Sequence, residues 1–396
     1  MIPRVETGLD RWVGEGFAAL RGLRVGLIAN PTSGDHRLRH AVDLLRDAPE
    51  VTLAALFGPE HGIRAEAQDM IGVASGVDSR AGIPVHTLYG PTVESLTPTP
   101  EQLEGLDALI FDVQDVGSRY YTFAATMLYA MTAASRAGIR FFVLDRPNPI
   151  GGLAIEGPTV RLGFESFVGV HPTPIRHGMT VGELALMFRE ELSIDIDLSV
   201  IACRGWSRGM LWGETGLPWV LPSPNMPTPD TALVYPGGCL VEGTNLSEGR
   251  GTTRPFELWG APWIDPDPLA RPAPWTSGVL LRPCSFRPTF HKHSGQTCFG
   301  VQPHVTDPSS FAPVWFYTAM LAGVRRQDPV RFDWRREPYE FVSDPIAIDL
   351  LFGSDRERQL IESNPGLDEL EDLRKLWSVE ESDFRERRGP FLLYPA

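Results

Sequence analysis

Cysteine is scarce in this sequence: Cys203, Cys239, Cys284 and Cys298 are widely spaced and form no C-x-x-C pair. Such spacing points to buried thiols rather than to a disulfide framework or a zinc site. Positive charge is also short. Lys and Arg number 36 against 50 Asp and Glu, a formal net charge of −14. No basic field is present to gather nucleic-acid phosphates or an anionic membrane surface, so neither is expected as a partner. No apolar run approaches the roughly 18–20 residues of a membrane span. No G-x-G-x-x-G follows the first apolar strand and no G-x-x-x-x-G-K-[ST] occurs, so no nucleotide or other cofactor is expected, and no resident metal. The N-terminus, M-I-P-R-V-E-T-G-L-D, lacks the apolar core of a signal peptide, which sets a cytoplasmic expectation, with export open if a leader has been trimmed.

The composition that remains is that of a globular protein, 42% hydrophobic and 22% charged. At 396 residues the chain exceeds one ordinary core, so two domains are expected. Residues 22–30, 51–57, 84–88, 108–111, 140–144 and 198–203 are mostly apolar runs of strand length. Residues 39–46, 123–137 and 180–191 have helical character between them, the last opened by a capping-box pattern, Thr180 with Glu183. Apolar strands alternating with helices imply an α/β fold, a Rossmann-like and mostly parallel sheet covered on both faces. Residues 221–230, L-P-S-P-N-M-P-T-P-D, are too rich in proline for a helix or central strand and read as an ordered linker. The expected division is a Rossmann-like domain, residues 1–228, and a smaller α+β domain, residues 229–396. In the latter, residues 278–281 and 297–305 read as strands, and residues 311–322 and 345–351 as helices. Trp206, Trp212, Trp219, Trp259 and Trp263 cluster beyond Gly205.

The polar residues are placed with a pattern. Asn30, Glu60, Tyr89, Asp112 and Asp145 fall at or just past strand C-terminal ends, the rim where open α/β sheets carry chemistry. Residues 56–64, L-F-G-P-E-H-G-I-R, are the sharpest case. The strand breaks at Gly58-Pro59 and presents Glu60 and His61 before Gly62 turns the chain. Residues 111–121, F-D-V-Q-D-V-G-S-R-Y-Y, add Asp112, Gln114, Asp115, Arg119 and Tyr120. Residues 145–157 carry Asn148 and Glu156 in a Gly- and Pro-rich loop, and R-H-G-M-T sets His177 before a helix. Residues 242–252, E-G-T-N-L-S-E-G-R-G-T, gather Glu242, Thr244, Asn245, Glu248 and Arg250 with almost nothing apolar. Asp112 and Asp145 also suit helix caps, and Arg119 a pair with Asp115. Taken as one cleft, carboxylates, amides and aromatic rings are the inventory of a carbohydrate site.

The ordered set F-G-P-E-H-G, F-D-V-Q-D-V-G-S-R-Y-Y, D-R-P-N-P-I-G-G with I-E-G-P, R-H-G-M-T-V-G-E-L, L-P-S-P-N-M-P (with Asn225) and Y-P-G-G-C-L-V-E-G-T-N-L-S-E-G-R-G-T resembles the exo-β-N-acetylmuramidase (NamZ) family. The resemblance runs from about Val25 to the C-terminus, with Ser118 and Tyr120 where the family often has Ala and Phe. It implies a catalytic first domain with the second closing an active-site cleft, and a glycosidase that releases N-acetylmuramic acid from the non-reducing ends of peptidoglycan fragments, with muramic-acid saccharides as its ligands. It also supports Glu60 as the acid more firmly than Glu156. On this reading Glu60 and Glu156, beside His61, are the catalytic groups, with Glu242 and Glu248 in reserve. A carboxylate separation of about 5–5.5 Å would indicate retention and roughly 6.5–9.5 Å inversion. Selecting muramic acid over N-acetylglucosamine needs a cation for the lactyl carboxylate. Arg119 is the first expectation for it, then Arg64 and Arg250. Two alternatives stand beside this: a metal-dependent hydrolase using His61, His177, Asp112 and Asp115, and a non-catalytic amino-sugar-binding protein.

Overall fold

A computed structural model describes residues 5–63, 76–78 and 80–396. Its centre is a seven-stranded sheet. In chain order the first strands are β1 (Arg24–Ala29), β2 (Thr52–Gly58), β3 (Gly76–Val77), β4 (Pro84–Thr87), β5 (Ala108–Asp112) and β6 (Arg140–Leu144). β7 (Glu156–Thr159) and β8 (Pro174–Arg176) pair as a separate antiparallel ribbon, and β9 (Leu198–Ile201) returns to the main sheet. The order is β3-β4-β2-β1-β5-β6-β9, parallel throughout except for the β3–β4 pair. The central strands are buried on both faces, which is why they read as continuous apolar runs rather than alternating ones.

The strand order reverses at β1. The chain winds outward through β2 and β4 on one side, then crosses to β5, β6 and β9 on the other. The crevice above β1 and β5 is the usual ligand position in such sheets. Here side chains crowd it, leaving a space of about 30 Å³ bounded by Thr32, Gln114 and Arg146 among others. Asn30 Oδ1 accepts from the Thr32 backbone N–H at 2.9 Å and from the Thr32 hydroxyl at 2.5 Å. The Ser33 hydroxyl donates to the Asp112 carbonyl, and Arg146 Nη2 lies 2.6 Å from Asp112 Oδ1. The cavity described below therefore lies over β2, beside this crevice.

Helix starts and stops follow local chemistry. The helix Phe123–Ala137 ends at Gly138, which takes up the left-handed conformation (φ 67°) that a side chain would penalise. The helix Val181–Glu191 opens with the expected capping box: Thr180 Oγ1 accepts from Glu183 N, and Glu183 Oε2 accepts from Thr180 N. Asp145, at the end of β6, accepts from Thr180 Oγ1 at 2.7 Å and from Gly182 N at 2.8 Å, so it serves that same helix start. All four cysteines are free, and Cys284 alone is only half-buried.

The second part holds a three-stranded antiparallel sheet of β10 (Trp259–Ala261), β11 (Val279–Phe286) and β12 (Cys298–Val305), ordered β10-β12-β11. The helix Pro229–Gly238 packs on β12, Pro313–Gln327 packs on that helix with Tyr317 against Trp259 of β10, and Ala347–Phe352 packs on the turn Cys239–Gly243. Residues 221–228 form neither helix nor strand, and Thr228 caps a helix whose first residue is Pro229. A long helix, Leu367–Arg388, escaped the sequence reading because only Leu370, Leu373, Trp377, Phe384 and Arg388 are buried on an otherwise charged surface. It runs back across the first part. Glu380 accepts from Thr159 N, Glu381 from Gly157 N, and Arg388 donates to the carbonyls of His177 and Gly178. One apolar core runs from Phe57, Phe111 and Val143 to Trp315, Phe352 and Trp377. Among the described residues no helix is long and apolar enough to cross a membrane.

Candidate active site

β2 ends at Gly58, and the next residues turn at once. Gly62 N donates to Pro59 O at 2.9 Å, and His61 adopts φ 70°. A positive φ at the third position of a four-residue turn normally calls for glycine; a histidine there is strained, and such strain gathers at functional sites. The turn sets the Glu60 carboxyl beside the start of the helix Phe123–Ala137, where the Thr122 hydroxyl donates to Glu60 Oε2 at 2.7 Å. Glu60 Oε1 is buried and has no hydrogen-bond partner among the described residues. A buried acceptor left unmade costs on the order of 1–3 kcal/mol, so this oxygen is poised for a partner.

Glu60 and His61 line a cavity of about 30 Å³ with Tyr120, Tyr121, Thr122, Ser223, Asn225, Tyr235, Glu242, Arg250, Phe256, Tyr339 and Glu340. Its walls come from both parts of the chain. Glu242 is held on both oxygens: Arg250 Nη2 donates to Oε1 at 2.5 Å and the Tyr339 hydroxyl to Oε2 at 2.8 Å. The Arg250 guanidinium lies over the Phe256 ring, 5.1 Å from its centroid. The tyrosines are constrained too. Tyr120 donates to the Pro236 carbonyl, and burial pushes the Tyr120, Tyr121 and Tyr235 hydroxyls well above the ordinary tyrosine range.

Of the expected site residues, Glu60, His61, Tyr120, Asn225, Glu242 and Arg250 meet here. The others lie elsewhere. Glu156 sits on β7, its Oε1 accepting from Trp315 N at 2.8 Å, and is absent from the cavity wall. Burial pushes its carboxyl up to about 7, against the pull of the Trp315 N–H and Arg176. Arg119 is not at the cavity either. Nη1 donates to the carbonyls of Pro158 and Thr173 at 2.7 and 2.8 Å, and Nη2 to that of Leu351 at 2.6 Å. Those bonds tie the β7–β8 ribbon to the helix Ala347–Phe352, which leaves little of the fork for a ligand. It forms no ion pair with Asp115 or any other described residue. Arg64 lies outside the described residues.

The remaining positions are absorbed by structure. Asp112 pairs with Arg146, and burial nonetheless raises it to about 6. Gln114 Nε2 donates to the carbonyls of Asp115 and Pro147. Asp115 accepts from Gly117 N at 2.6 Å and is pushed up to about 7 by burial. Asn148 accepts from Ile150 N and donates to the Met179 carbonyl. His177 Nδ1 accepts from Met179 N, and burial, reinforced by Arg388 and Arg119, lowers its pKa to about 3. Thr244 accepts from Leu246 N, and Asn245 donates to the Arg331 carbonyl. Glu248 lies behind the wall, 3.0 Å from both Lys292 Nζ and His291 Nδ1. Burial alone would raise its carboxyl, but Lys292, His291 and Arg250 together hold it well below the usual range.

None of the tryptophans clustered beyond Gly205 lines this cavity. Trp212 packs edge-on against Trp219 and Trp206 against Tyr394, while Trp259 is fully buried. The phenyl and phenol rings at the cavity are Tyr120, Tyr121, Phe123, Tyr235, Phe256 and Tyr339. His177 Nε2 lies 3.7 Å from Asp115 Oδ2, but Asp112 pairs with Arg146 and His61 lines the cavity, and among the described residues no group of three or more His, Cys, Asp or Glu is placed to hold a metal. The H-x-x-x-H spacing of His36 and His40 makes no ligand pair: His36 bonds Asp10 and His40 the Asn30 carbonyl.

Comparison with known proteins fits this geometry. The N-terminal model of the exo-β-N-acetylmuramidase NamZ family matches residues 25–230, and its C-terminal model residues 233–394. The chain belongs to the NamZ family. The peptidoglycan β-N-acetylmuramidase NamZ of Bacillus subtilis (strain 168) is 45% identical over 394 residues, covering 99% of this chain and 92% of that relative. A DUF1343 family crystal structure from Bacteroides fragilis NCTC 9343 superimposes with TM-score 0.88 at 36% identity, covering 100% of both chains. A second from the same organism gives TM-score 0.74 at 27% identity, covering 99% of both. Both solved structures thus share this architecture over 99–100% of their length.

Sequence reasoning missed Tyr121, Thr122, Ser223, Tyr235, Tyr339 and Glu340 at the cavity. The first four adjoin or lie within the stretches already singled out. Tyr339 and Glu340, in the segment E-P-Y-E-F, gave no signal of spacing or composition.

Proposed function

We propose that the chain is an exo-acting β-N-acetylmuramidase, a glycosidase that releases N-acetylmuramic acid from the non-reducing ends of peptidoglycan fragments. Membership of the NamZ family over both halves supports the class of reaction. The observation that carries the assignment of the acid is Glu60. It is a buried carboxyl with one oxygen fixed by Thr122 and the other unmatched, in a cavity walled by tyrosines and polar groups. A proton donor to the glycosidic oxygen needs this fixed geometry and partial exclusion of water.

Of the arginines considered for the lactyl carboxylate, Arg250 alone lines the cavity among the described residues. We therefore transfer that role to it, with Glu242 fixing the guanidinium plane. Hydrolysis of an aryl β-N-acetylmuramide, compared with the matching N-acetylglucosaminide and with EDTA present, tests the reading. Turnover of the muramide that survives EDTA and strongly exceeds that of the glucosaminide supports it. Binding without turnover would favour the amino-sugar-binding alternative, and loss of activity in EDTA the metal-dependent one.

A further inference from the structure

The cavity holds three carboxylates that sequence position does not rank: Glu60, Glu242 and Glu340. Their surroundings separate them. Glu242 has both oxygens engaged and its charge matched by Arg250, so it is a wall-building group. Glu60 keeps an unmatched, buried oxygen. Glu340 arrives from the second part of the chain on a turn built for the purpose of placing it.

That turn is Tyr339–Val342. Tyr339 N donates to Val342 O and Val342 N to Tyr339 O, both at 2.9 Å, closing a two-residue hairpin. Its central residues, Glu340 and Phe341, have φ 45° and 68°. Two-residue hairpins with both central residues at positive φ favour Asn-Gly or Asp-Gly, because larger side chains are strained there. Glutamate and phenylalanine in succession are strained in this conformation and persist only where neighbours over-determine them.

Every residue of this turn is indeed pinned. The Tyr339 hydroxyl is bound to Glu242 Oε2, and the Arg335 guanidinium lies 5.1 Å from the Tyr339 ring centroid. The Phe341 ring packs edge-on against Tyr89, 5.6 Å between centroids, in a cluster with Phe167. The Tyr89 hydroxyl, from the C-terminal end of β4, donates to Glu340 Oε2 at 2.9 Å. Tyr89 thus holds both the ring and the carboxylate of successive strained residues.

Resting on the glycosidase reading above, we propose that Glu340 is the second catalytic carboxylate, acting on the attacking side while Glu60 acts on the leaving side. Glu60 gives its proton to the glycosidic oxygen, and the C1–O bond breaks with its electron pair going to that oxygen. A water oxygen bonds to C1, and the proton it loses passes to Glu340. Exchange with solvent then returns Glu60 to the acid form and Glu340 to the carboxylate, so the net change is addition of one water across the bond.

The test compares wild type, Glu60→Gln, Glu340→Gln and Glu340→Ala. The substrates are the disaccharide muramic acid–N-acetylglucosamine and a dinitrophenyl β-N-acetylmuramide, whose leaving group needs no proton. An acid variant recovers on the activated substrate, whereas an attack-side variant does not. Glu60→Gln should lose about 10²–10⁴-fold on the disaccharide and regain most of it on the aryl glycoside. Both Glu340 variants should lose a comparable factor on both, and azide should raise the Glu340→Ala rate on the aryl glycoside at least about tenfold by replacing the missing attack-side group. Azide rescue also decides the matter if Glu340→Gln melts early, because a merely misfolded variant is not rescued. Glu340 variants within about threefold of wild type, full recovery on the activated substrate, or no azide effect would each overturn the proposal. A folded wild type inactive on both substrates would instead overturn the glycosidase reading on which it stands.

Discussion

Replacing Arg119 by methionine separates a structural arginine from a substrate-binding one. The guanidinium donates to three buried carbonyls, those of Pro158, Thr173 and Leu351. At about 1.5–3 kcal/mol for each bond to a charged donor, the gross loss is roughly 4–9 kcal/mol. Part of this is recovered, because burial already lowers the Arg119 pKa from 12.5 to about 10. That shift corresponds to a penalty of roughly 3 kcal/mol for keeping the charge inside, which methionine removes. The net expectation is a loss of about 3 kcal/mol. At about 2.1 cal/mol/K per residue, a cooperative unit of this length melts with an entropy of roughly 0.8 kcal/mol/K, so Tm should fall by about 4 °C. Calorimetry measures this. The ratio of kcat/KM on the aryl muramide to that on the aryl glucosaminide should meanwhile stay unchanged. An unaltered Tm with a collapsed ratio would refute the argument and return Arg119 to the lactyl carboxylate.

Arg250→Lys keeps a charge at the cavity but loses the planar fork, so the same ratio should fall about tenfold or more; equal losses on both substrates would contradict the assignment. Glu156→Gln addresses pH. Its folded pKa of about 7 exceeds the ordinary 4.5, so the folded state retains a proton that the unfolded chain releases, and stability falls as pH rises across that window. Glutamine does not titrate, so the variant's Tm relative to wild type should climb between pH 5 and 8 (about the same window) with kcat/KM within roughly threefold; a loss of about a thousandfold would restore Glu156 to the chemistry. Lys292→Met removes the ammonium 3.0 Å from Glu248 and its bonds to the carbonyls of Val241, Glu242 and Leu246. Breaking a buried pair costs about 3–5 kcal/mol, so Tm should drop by several degrees, and an unchanged melt would show that the cluster behind the cavity wall is not structural.

The sheet was legible because its strands are buried on both faces and its helix signals are local. The apolar run ending in Gly58-Pro59 is β2, and Thr180 with Glu183 is a capping box. The same locality made Glu60 and His61 visible, since a strand end and its turn belong to one stretch of sequence. Legibility failed where placement depends on distant partners. Asp112, Asp115, Arg119 and His177 have the residue types of a site, yet Arg146, Gly117, three carbonyls and Met179 occupy them. Glu340 has the opposite history. Nothing around it in sequence marks it, and only the contacts of Tyr89, Glu242 and Arg335 bring its turn to the cavity. The helix Leu367–Arg388 was obscured similarly, its few apolar positions meaning little until the surface they cover is known.

The central claim is that this chain cleaves a muramic-acid glycoside with Glu60 as its proton donor. The most direct measurement is release of free N-acetylmuramic acid from the disaccharide muramic acid–N-acetylglucosamine by wild type and Glu60→Gln, each with and without EDTA. The account predicts release by wild type in both conditions and a rate at least about a hundredfold lower in the variant. Release by the variant at the wild-type rate, or no release by a folded wild type, would contradict it.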